Sequence, residues 1–318
     1  MNPTGIWSSP ALRWIAAGMV VFNGFFPAVW ILFTSLKTEA ELVQKPITWW
    51  PANPMMDNYV KAFTDQPLLT YLKNSLVVAC GATAVSLVVA AFAAYAIARL
   101  NLKRRQLILT CIVASSMFPL VTLLVPIFET MRALGWLNTY IALILPYVVL
   151  NMPVCTLVLV SFFQSIPRDL ENAAMIDGCT RMGALWRVVV PLAAPGVFTA
   201  GILAFVNSWD EFLLALSLNS SPAVRTLPVG IALYQGEFTF PWPIISAALI
   251  VAIVPVAILI ALFQERVVGG LTQGGLKGYS CRQGSGICRS AALAPTSACA
   301  EAAIVGAEAA DLRGGRYL

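Results

Sequence analysis

Six long apolar runs, separated by polar segments, constrain the fold of this chain more than any other feature of its sequence. They lie at residues 14–36, 71–98, 107–128, 141–163, 195–218 and 243–263. A helix needs about 20 mostly apolar residues to cross the hydrocarbon core of a bilayer, and each run reaches that length. Only 11% of the residues are charged, against roughly 25% in an average soluble domain. The sequence therefore predicts an all-α integral membrane protein with six transmembrane helices.

The distribution of Lys and Arg predicts the orientation of these spans. With the N-terminus inside, ten basic residues up to position 278 fall on the cytoplasmic side and six fall outside. The inner set is Arg13, Arg99, Lys103, Arg104, Arg105, Arg168, Arg181, Arg187, Arg266 and Lys277, and the outer set is Lys37, Lys45, Lys61, Lys73, Arg132 and Arg225. Because cytoplasmic loops carry an excess of Lys and Arg, both termini are expected in the cytoplasm.

The second apolar run carries small residues at every fourth position. These are Ala82, Ser86, Ala90, Ala94 and Ala98. Residues four apart lie on one face of a helix, and small side chains let helix backbones approach closely in a membrane. This face is expected to pack against another helix.

A polar island at about 164–194 interrupts the apolar runs and predicts two short helices joined at a glycine. Asp169 and Glu171 suit the positive end of a first helix. Gly178 stands where a helix stop needs a left-handed residue, and Thr180 can cap the second helix. Pro191 is expected to stop that second helix. Between runs four and five, this helix-turn-helix falls on the cytoplasmic side predicted from charge.

The polar island resembles the EAA loop of the permease subunits of bacterial binding-protein-dependent ABC importers, and most closely their maltose-type carbohydrate branch. The family pattern has Glu-Ala-Ala, two residues, Asp-Gly-Ala, and a later apolar-Leu-Pro ending. The matching residues here are Asn172, Ala173, Ala174, Asp177, Gly178, Cys179, Val190, Pro191 and Leu192. Two departures stand out: Asn172 replaces the usual Glu, with Glu171 beside it, and Cys179 replaces the usual Ala.

The resemblance implies a permease of the bacterial inner membrane that is not itself an enzyme. It would form half of a sugar pathway with a second permease subunit, and it would work with two ATPase subunits and an extracytoplasmic solute-binding protein. ATP and Mg²⁺ would be bound by the ATPases, since this chain has no Gly-Lys-Ser/Thr phosphate loop. The coupling residues implied are Glu171, Asn172, Ala173, Ala174, Asp177, Gly178 and Pro191. The substrate class, a sugar or sugar derivative, rests on the resemblance alone.

A second polar group lies within the fifth apolar run, at Asn207, Trp209, Asp210 and Glu211. Carboxylates at membrane depth are costly unless they face protein, water or a partner. These side chains could line the translocation pathway, with Trp209 stacking on a sugar ring, or they could form polar contacts between helices. The two interpretations are equally compatible with the sequence.

The resemblance extends over most of residues 11–278, whose end at 264–278 is similar to the C-terminus of maltose-type permeases. Residues 1–278 are therefore assigned to the permease domain. Residues 279–318 are rich in Ala, Gly and Ser without sustained periodicity, which predicts a disordered extension.

Other function classes fit less well. A proton-coupled secondary transporter could use Asp210, Glu211 or Glu129, but such proteins usually carry internal repeats, and none is evident. The chain contains no histidine, which removes His-based metal sites and the commonest general base of an intramembrane enzyme. Nucleic-acid binding is not expected, because the basic residues are spread among the loops.

Overall fold

The computed structural model describes residues 10–100, 102–236 and 240–275, and the secondary structure within these ranges is helical, with no strand. Four helices are long and apolar enough to cross a membrane unaided. They are α1 (Pro10–Ser35), α4 (Leu68–Arg99), α7 (Tyr140–Ser165) and α14 (Trp242–Gly275), with α2 (Glu39–Val43) and α3 (Asp57–Thr64) between the first two. The predicted extension at 279–318 lies outside the described residues.

The third predicted span is broken rather than continuous. It consists of α5 (Arg105–Ser115) and α6 (Leu120–Ala133), whose axes meet at 88°. Pro119 directly precedes α6, which explains the position of the break, because a proline disfavours helical backbone in the residue before it. Pro126, in contrast, lies inside α6 without ending it.

The fifth predicted span, 195–218, is also wrong as a single helix. The structure has α11 (Ala194–Trp209), a break at 210–212, and the short α12 (Leu213–Leu218). At 1.5 Å per residue, α11 is about 24 Å long, short of the roughly 30 Å hydrocarbon core. The preceding helical stretch, Arg181–Leu192, meets α11 at 81°. The described chain therefore has four continuous candidate spans, or up to six if each bent pair counts as one.

Helix α4 occupies the centre of the fold and packs chiefly on α7 and α11. The small-residue face predicted from the sequence is the packed face, since each of its five residues is no more than 5% exposed. Its members Ala90, Ala94 and Ala98 share one apolar cluster with Leu159 and Phe163 of α7 and Ala200 of α11. Ala82 belongs to a second cluster with Leu143 and Tyr147 of α7. The prediction that this face contacts another helix is confirmed.

Different short helices and polar segments lie near the two ends of α4. Near Arg99 lie α8 (Arg168–Ile176) and α9 (Arg181–Ala184), with α10 (Val190–Leu192) following in the chain. Near Leu68 lie the segment that precedes α4 and α13 (Leu227–Ala232). There, the Asn58 side-chain amide donates to the carbonyls of Ser35 and Lys37, at 2.8 and 2.9 Å, which ties α3 to the end of α1.

Candidate functional site

Helix α8 begins and ends where local chemistry favours it. Pro167 stands just before the helix, and Asp169 and Glu171 lie in its first turn. Their carboxylates complement the partial positive charge of a helix N-terminus. Because the helix has only nine residues, it cannot be stable alone and depends on its contacts with the rest of the chain.

Gly178 ends α8 in a left-handed turn. Its φ is +92°, its N–H donates to the carbonyl of Met175 at 3.1 Å, and the N–H of Cys179 donates to Ala174 at 2.9 Å. This pair of bonds is the Schellman motif, which satisfies the last carbonyls of a helix. A side chain at Gly178 would meet nothing within 4 Å. The expected left-handed conformation is confirmed, and the demand for glycine comes from the backbone rather than from space.

The next helix starts at the predicted cap but does not stop at the predicted residue. The Thr180 hydroxyl accepts from the N–H of Gly183 at 3.1 Å. The chain then widens into a π turn over 185–189, continues through Pro191, and bends only at Ala193. A wider turn accommodates Pro191, since proline has no N–H to give to the carbonyl four residues earlier. The helical stretch therefore ends two residues later than the expected stop at Pro191. The Pro191 ring is exposed.

Glu171 faces the interior rather than the surface. It is 7% exposed, and the Tyr95 hydroxyl of α4 donates to its Oε1. Its Oε2 lies 3.0 Å from Nε of Arg99. The two groups form an ion pair, but the Nε–H is not aligned for a hydrogen bond. Removing either charge would leave the other buried and unpaired, which is strongly destabilising. Glu171 therefore holds α8 on α4 and is not free to contact another protein.

The residues on the outward face of α8 are more exposed than the buried Glu171. Asn172, Ala173, Asp177 and Gly178 are exposed, whereas Ala174 is half-buried. Ile176 is 86% exposed, more than any other large apolar side chain among the described residues. Ile176 is not among the site residues predicted from the sequence, although an apolar residue immediately before an Asp-Gly turn was a usable signal.

A cavity of about 410 Å³ lies between α8 and the end of α4. It is lined by Tyr95, Arg99, Leu100, Arg168, Glu171, Asn172, Met175 and Arg181. The lining contains three guanidinium groups and one carboxylate, so its formal charge is positive. Such a cavity favours an anionic side chain over a cationic one.

The second predicted group does not form one continuous helix face. Glu211 follows the break and caps α12: its carboxylate accepts from the N–H groups of Leu214 and Ala215, at 2.9 and 3.2 Å. The Tyr147 hydroxyl of α7 donates to the same carboxylate at 2.6 Å. Asp210 is exposed at the end of α11. The two carboxylates therefore differ in environment because the helix ends between them.

The remaining two members of that group point to different surroundings. Asn207 is exposed and shares a cavity of about 200 Å³ with Tyr147, Leu150, Asn151, Ser208 and Glu211. Trp209 is 3% exposed, and its ring stacks on Phe205 at 5.6 Å. The expectation that Trp209 stacks on a sugar ring is therefore corrected, because its ring belongs to the apolar core. The cavity is lined instead by Leu150 and by amide, hydroxyl and carboxylate groups.

Comparison with known proteins places the chain in a family. The family described as "Binding-protein-dependent transport system inner membrane component" matches residues 67–272, more than half of the chain. A crystal structure of a bacterial ABC transporter involved in the import of the acidic polysaccharide alginate is similar in fold. One of its chains superposes with a TM-score of 0.69 at 20% identity, over 83% of this chain and 98% of that one.

Two relatives are similar over nearly their whole length. The sulfoquinovosyl glycerol transport system permease protein SmoH of Agrobacterium fabrum is 71% identical, over 86% of this chain and 96% of that protein. The trehalose/maltose transport system permease protein MalG of Thermococcus litoralis is 37% identical, over 83% and 95%. The chain therefore belongs to the binding-protein-dependent transport family of inner-membrane components, and it is an ABC-transporter permease rather than an enzyme.

Proposed function

We propose that this chain forms half of the translocation pathway of an ATP-driven importer, and that α8 and the Gly178 turn are the surface to which an ATPase subunit binds. The observation that carries the proposal is the exposed apolar side chain of Ile176 beside a rigid left-handed turn. Burial of this side chain against a partner would remove its apolar surface from water, which favours association. Asn172, Ala173, Asp177 and Gly178 surround it.

Two of the coupling residues implied by the sequence take a different part in this proposal. Glu171 holds α8 against α4 through Tyr95 and Arg99, and Pro191 lies in the stretch that joins α9 to the bend before α11. They position the surface and do not touch the ATPase. When two ATPase subunits close on ATP and Mg²⁺, each would displace the α8 of one permease, and this chain would pair with a second permease. That displacement would switch the pathway between its two openings as a rigid-body movement.

The orientation follows from charge. The segments at the Arg99 end of α4 contain Lys103, Arg104, Arg105, Arg168 and Arg181, and an excess of basic residues marks the cytoplasmic side. With α5–α6 and the α9–α11 stretch each crossing once, the chain would pass the membrane six times and keep both termini in the cytoplasm. An extracytoplasmic binding protein would then meet the opposite face.

The cargo is proposed to be a sugar or sugar derivative. The name of the relative that is 71% identical, a permease for sulfoquinovosyl glycerol, supports a sulfonated sugar glycoside. The polar cavity beside Asn207 and Glu211 contains the amide and hydroxyl groups that hydrogen-bond sugar hydroxyls. Asp210 would face the pathway from the neighbouring helix end.

The test compares two exposed apolar residues at opposite ends of the molecule. Ile176→Asp places a charge where the ATPase anchor would be buried, whereas Val43→Asp makes the same change at a side chain that is 81% exposed in the segment before α3. Both variants should accumulate in membranes like the parental chain. After mild solubilisation and affinity purification, the recovery of ATPase subunits should fall strongly for Ile176→Asp alone.

Two results would contradict the proposal. If Ile176→Asp retains the parental amount of ATPase subunit, α8 is not the binding surface. Equal losses in both variants would show that the defect is one of folding rather than of docking.

A further inference from the structure

Three arginines from three separate segments converge on the cavity between α8 and the end of α4. Arg99 is the last residue of α4, Arg168 is the first residue of α8, and Arg181 is the first residue of α9. All three line the same space of about 410 Å³, and Glu171 is the one carboxylate among the lining residues. A half-enclosed space with an excess of one charge concentrates ions of the opposite charge. The cavity therefore attracts an anion.

Glu171 does not neutralise this excess, because both of its carboxylate oxygens are engaged with α4. One accepts from the Tyr95 hydroxyl, and the other lies 3.0 Å from Nε of Arg99. Arg168 reaches the carbonyl of Ala98 only at 3.5 Å, and Arg181 makes no hydrogen bond or ion pair with the described part of the chain. Two of the three guanidinium groups are thus without an anionic partner among the described residues.

The third guanidinium group is buried and incompletely bonded. The Arg99 side chain is 5% exposed, and its Nη2 donates to the carbonyl of Ile166 at 3.1 Å. Its Nε–H makes no aligned hydrogen bond, and its Nη1 has no acceptor within the described ranges. Because a buried donor without an acceptor is costly, an acceptor that enters the cavity would be favoured there.

The shape of the donor set selects the kind of anion. A guanidinium group presents its N–H donors as a planar fork that matches the oxygens of carboxylate and phosphate. A carboxylate offers two oxygens in one plane, whereas a phosphate group offers oxygens in several directions, which suits three forks that arrive from three segments. Binding sites for small molecules measure about 300–1,000 Å³, so this cavity is large enough for a phosphate group together with the atoms that carry it.

The position of the cavity favours a lipid as the source of that phosphate. At 1.5 Å per residue, the 32 residues of α4 are about 48 Å long, comparable with the roughly 40–45 Å of a bilayer that includes its headgroup regions. The end of α4 at Arg99 is therefore expected at the level of the lipid phosphates. Lys103, Arg104 and Arg105 follow within six residues. Basic pockets and clusters beside the cytoplasmic ends of membrane helices bind anionic headgroups.

From these observations we propose that the cavity binds a phosphate group, and that the headgroup of an anionic phospholipid supplies it. Arg99, Arg168 and Arg181 are the binding residues, and the ligand joins α4, α8 and α9. The choice of the cytoplasmic leaflet rests on the proposed function, which sets the orientation of the chain. The binding of phosphate rests on the cavity alone.

The experiment counts phospholipids on the transporter purified with its partner subunits in mild detergent. Phosphatidylglycerol is added in steps, and mass spectrometry under non-denaturing conditions measures how many molecules are bound. Phosphatidylcholine, whose headgroup has no net charge, is added in a parallel series. The parental complex should bind phosphatidylglycerol in preference to phosphatidylcholine.

Two paired variants separate the cavity from general surface charge. Arg168→Gln with Arg181→Gln removes two charges from the lining, and both side chains are exposed, so the fold should be retained. Lys103→Gln with Arg104→Gln removes two exposed charges at the same end of α4 but outside the lining. The first pair should weaken phosphatidylglycerol binding roughly tenfold or more, the effect of losing about one charge-assisted hydrogen bond. The second pair should leave binding near the parental value.

A second measurement distinguishes a lipid from a soluble phosphate. The unfolding temperature of each complex is compared in phosphatidylcholine with added phosphatidylglycerol, with inorganic phosphate, or with chloride at equal ionic strength. Phosphatidylglycerol should raise the unfolding temperature of the parental complex more than that of the Arg168/Arg181 pair, and inorganic phosphate should not. A rise that depends on Arg168 and Arg181 but occurs only with inorganic phosphate would overturn the lipid source and support a soluble phosphate ligand.

Two results would overturn the site itself. Equal weakening of phosphatidylglycerol binding in both paired variants would show attraction to surface charge without a specific cavity. Failure of both phosphatidylglycerol and inorganic phosphate to bind would leave an acidic side chain of the ATPase as the anion that the cavity accepts. The same spectra report the ATPase subunits: a parental complex without them would contradict the proposed function, whereas binding of phosphatidylglycerol that depends on Arg168 and Arg181 would still support the phosphate site.

Discussion

Two glycine turns in this chain have the same local structure and very different surroundings. Gly135 ends α6 with φ +70°, its N–H donates to Arg132 at 3.0 Å, and the N–H of Trp136 donates to Met131 at 2.9 Å. This is the Schellman pattern found at Gly178. At neither glycine would a Cβ meet an atom within 4 Å. Backbone chemistry alone therefore does not distinguish the two turns.

The residues that flank each turn do distinguish them. After Gly135, the chain returns to its own core: Trp136 packs in an apolar cluster, and the N–H of Asn138 donates to the carbonyl of Leu218 at 3.0 Å. The Asn138 side chain also accepts from the N–H of Ser221 at 2.8 Å. Before Gly178, by contrast, Ile176 projects from the surface. One motif can thus close a fold or present a contact surface, depending on whether its flanking side chains have partners within the chain.

The largest effect is expected from replacing each turn glycine by valine, in two separate variants, Gly178→Val and Gly135→Val. A valine in a left-handed conformation costs roughly 1–2 kcal/mol. At Gly178, the strain would reorient the end of α8 and Ile176, and a penalty of this size would weaken ATPase association about tenfold. At Gly135, the same strain should lower stability and leave association unchanged. Titration of the solubilised permease with ATPase subunits measures the first quantity, and thermal unfolding measures the second.

The opposite pattern would contradict this distinction between the turns. Unchanged association in Gly178→Val, with parental membrane abundance and transport, would remove the turn from the coupling machinery. The ATPase contact would then have to lie on another surface of the chain. A loss of association in Gly135→Val would show that the end of the fold near Gly135 controls docking indirectly.

A second prediction concerns the sides of the membrane on which the two turns lie. The background is a chain whose seven native cysteines are replaced by alanine. Leu134→Cys places a thiol one residue before Gly135, at a side chain that is 50% exposed, and Ile176→Cys places one two residues before Gly178, at a side chain that is 86% exposed. The charge distribution predicts that the first lies outside and the second in the cytoplasm. A membrane-impermeant maleimide should label Leu134→Cys in intact cells and Ile176→Cys only after permeabilisation. Labelling of Ile176→Cys in intact cells would reverse the orientation.

Features encoded by neighbouring residues were predictable from the sequence. The left-handed Gly178, the cap at Thr180 and the buried face of α4 each depend on spacing within one turn or one helix, and each is confirmed. A glycine at a helix end predicts a left-handed backbone, and a four-residue repeat predicts one face of a helix. The coupling role of α8 itself stays a prediction.

Features set by the meeting of distant segments were not predictable. Glu171 is buried because Tyr95, 76 residues earlier, and Arg99 come to lie beside it. Nothing in the polar island distinguishes an inward glutamate from an outward one, since two adjacent polar residues on a helix point about 100° apart. Trp209 is buried for a similar reason: its stacking on Phe205 occurs within α11, but the core that covers both rings comes from other helices. Packing between distant segments determines which way these side chains point, and the sequence pattern of a single segment does not predict that packing.

The smallest effect is expected from Glu211, a carboxylate for which the sequence allowed either a place in the pathway or a polar contact between helices. Glu211 caps α12 through the N–H groups of Leu214 and Ala215, and the same α12 ends at Leu218, whose carbonyl accepts from the turn after Gly135. Loss of a helix cap costs roughly 0.5–2 kcal/mol. Glu211→Ala should therefore lower the unfolding temperature modestly, and it should loosen the Gly135 turn without affecting ATPase association.

Asp210 provides the matched control, because it is the adjacent carboxylate and is exposed at the end of α11. Asp210→Ala should leave the unfolding temperature near the parental value, since no helix N–H depends on its side chain in the way that α12 depends on Glu211. Thermal unfolding of the two purified variants, together with their transport rates, separates the roles. If Glu211→Ala unfolds at the parental temperature but no longer transports, Glu211 acts in the pathway. The capping contacts would then be incidental, and other contacts would hold the Gly135 turn.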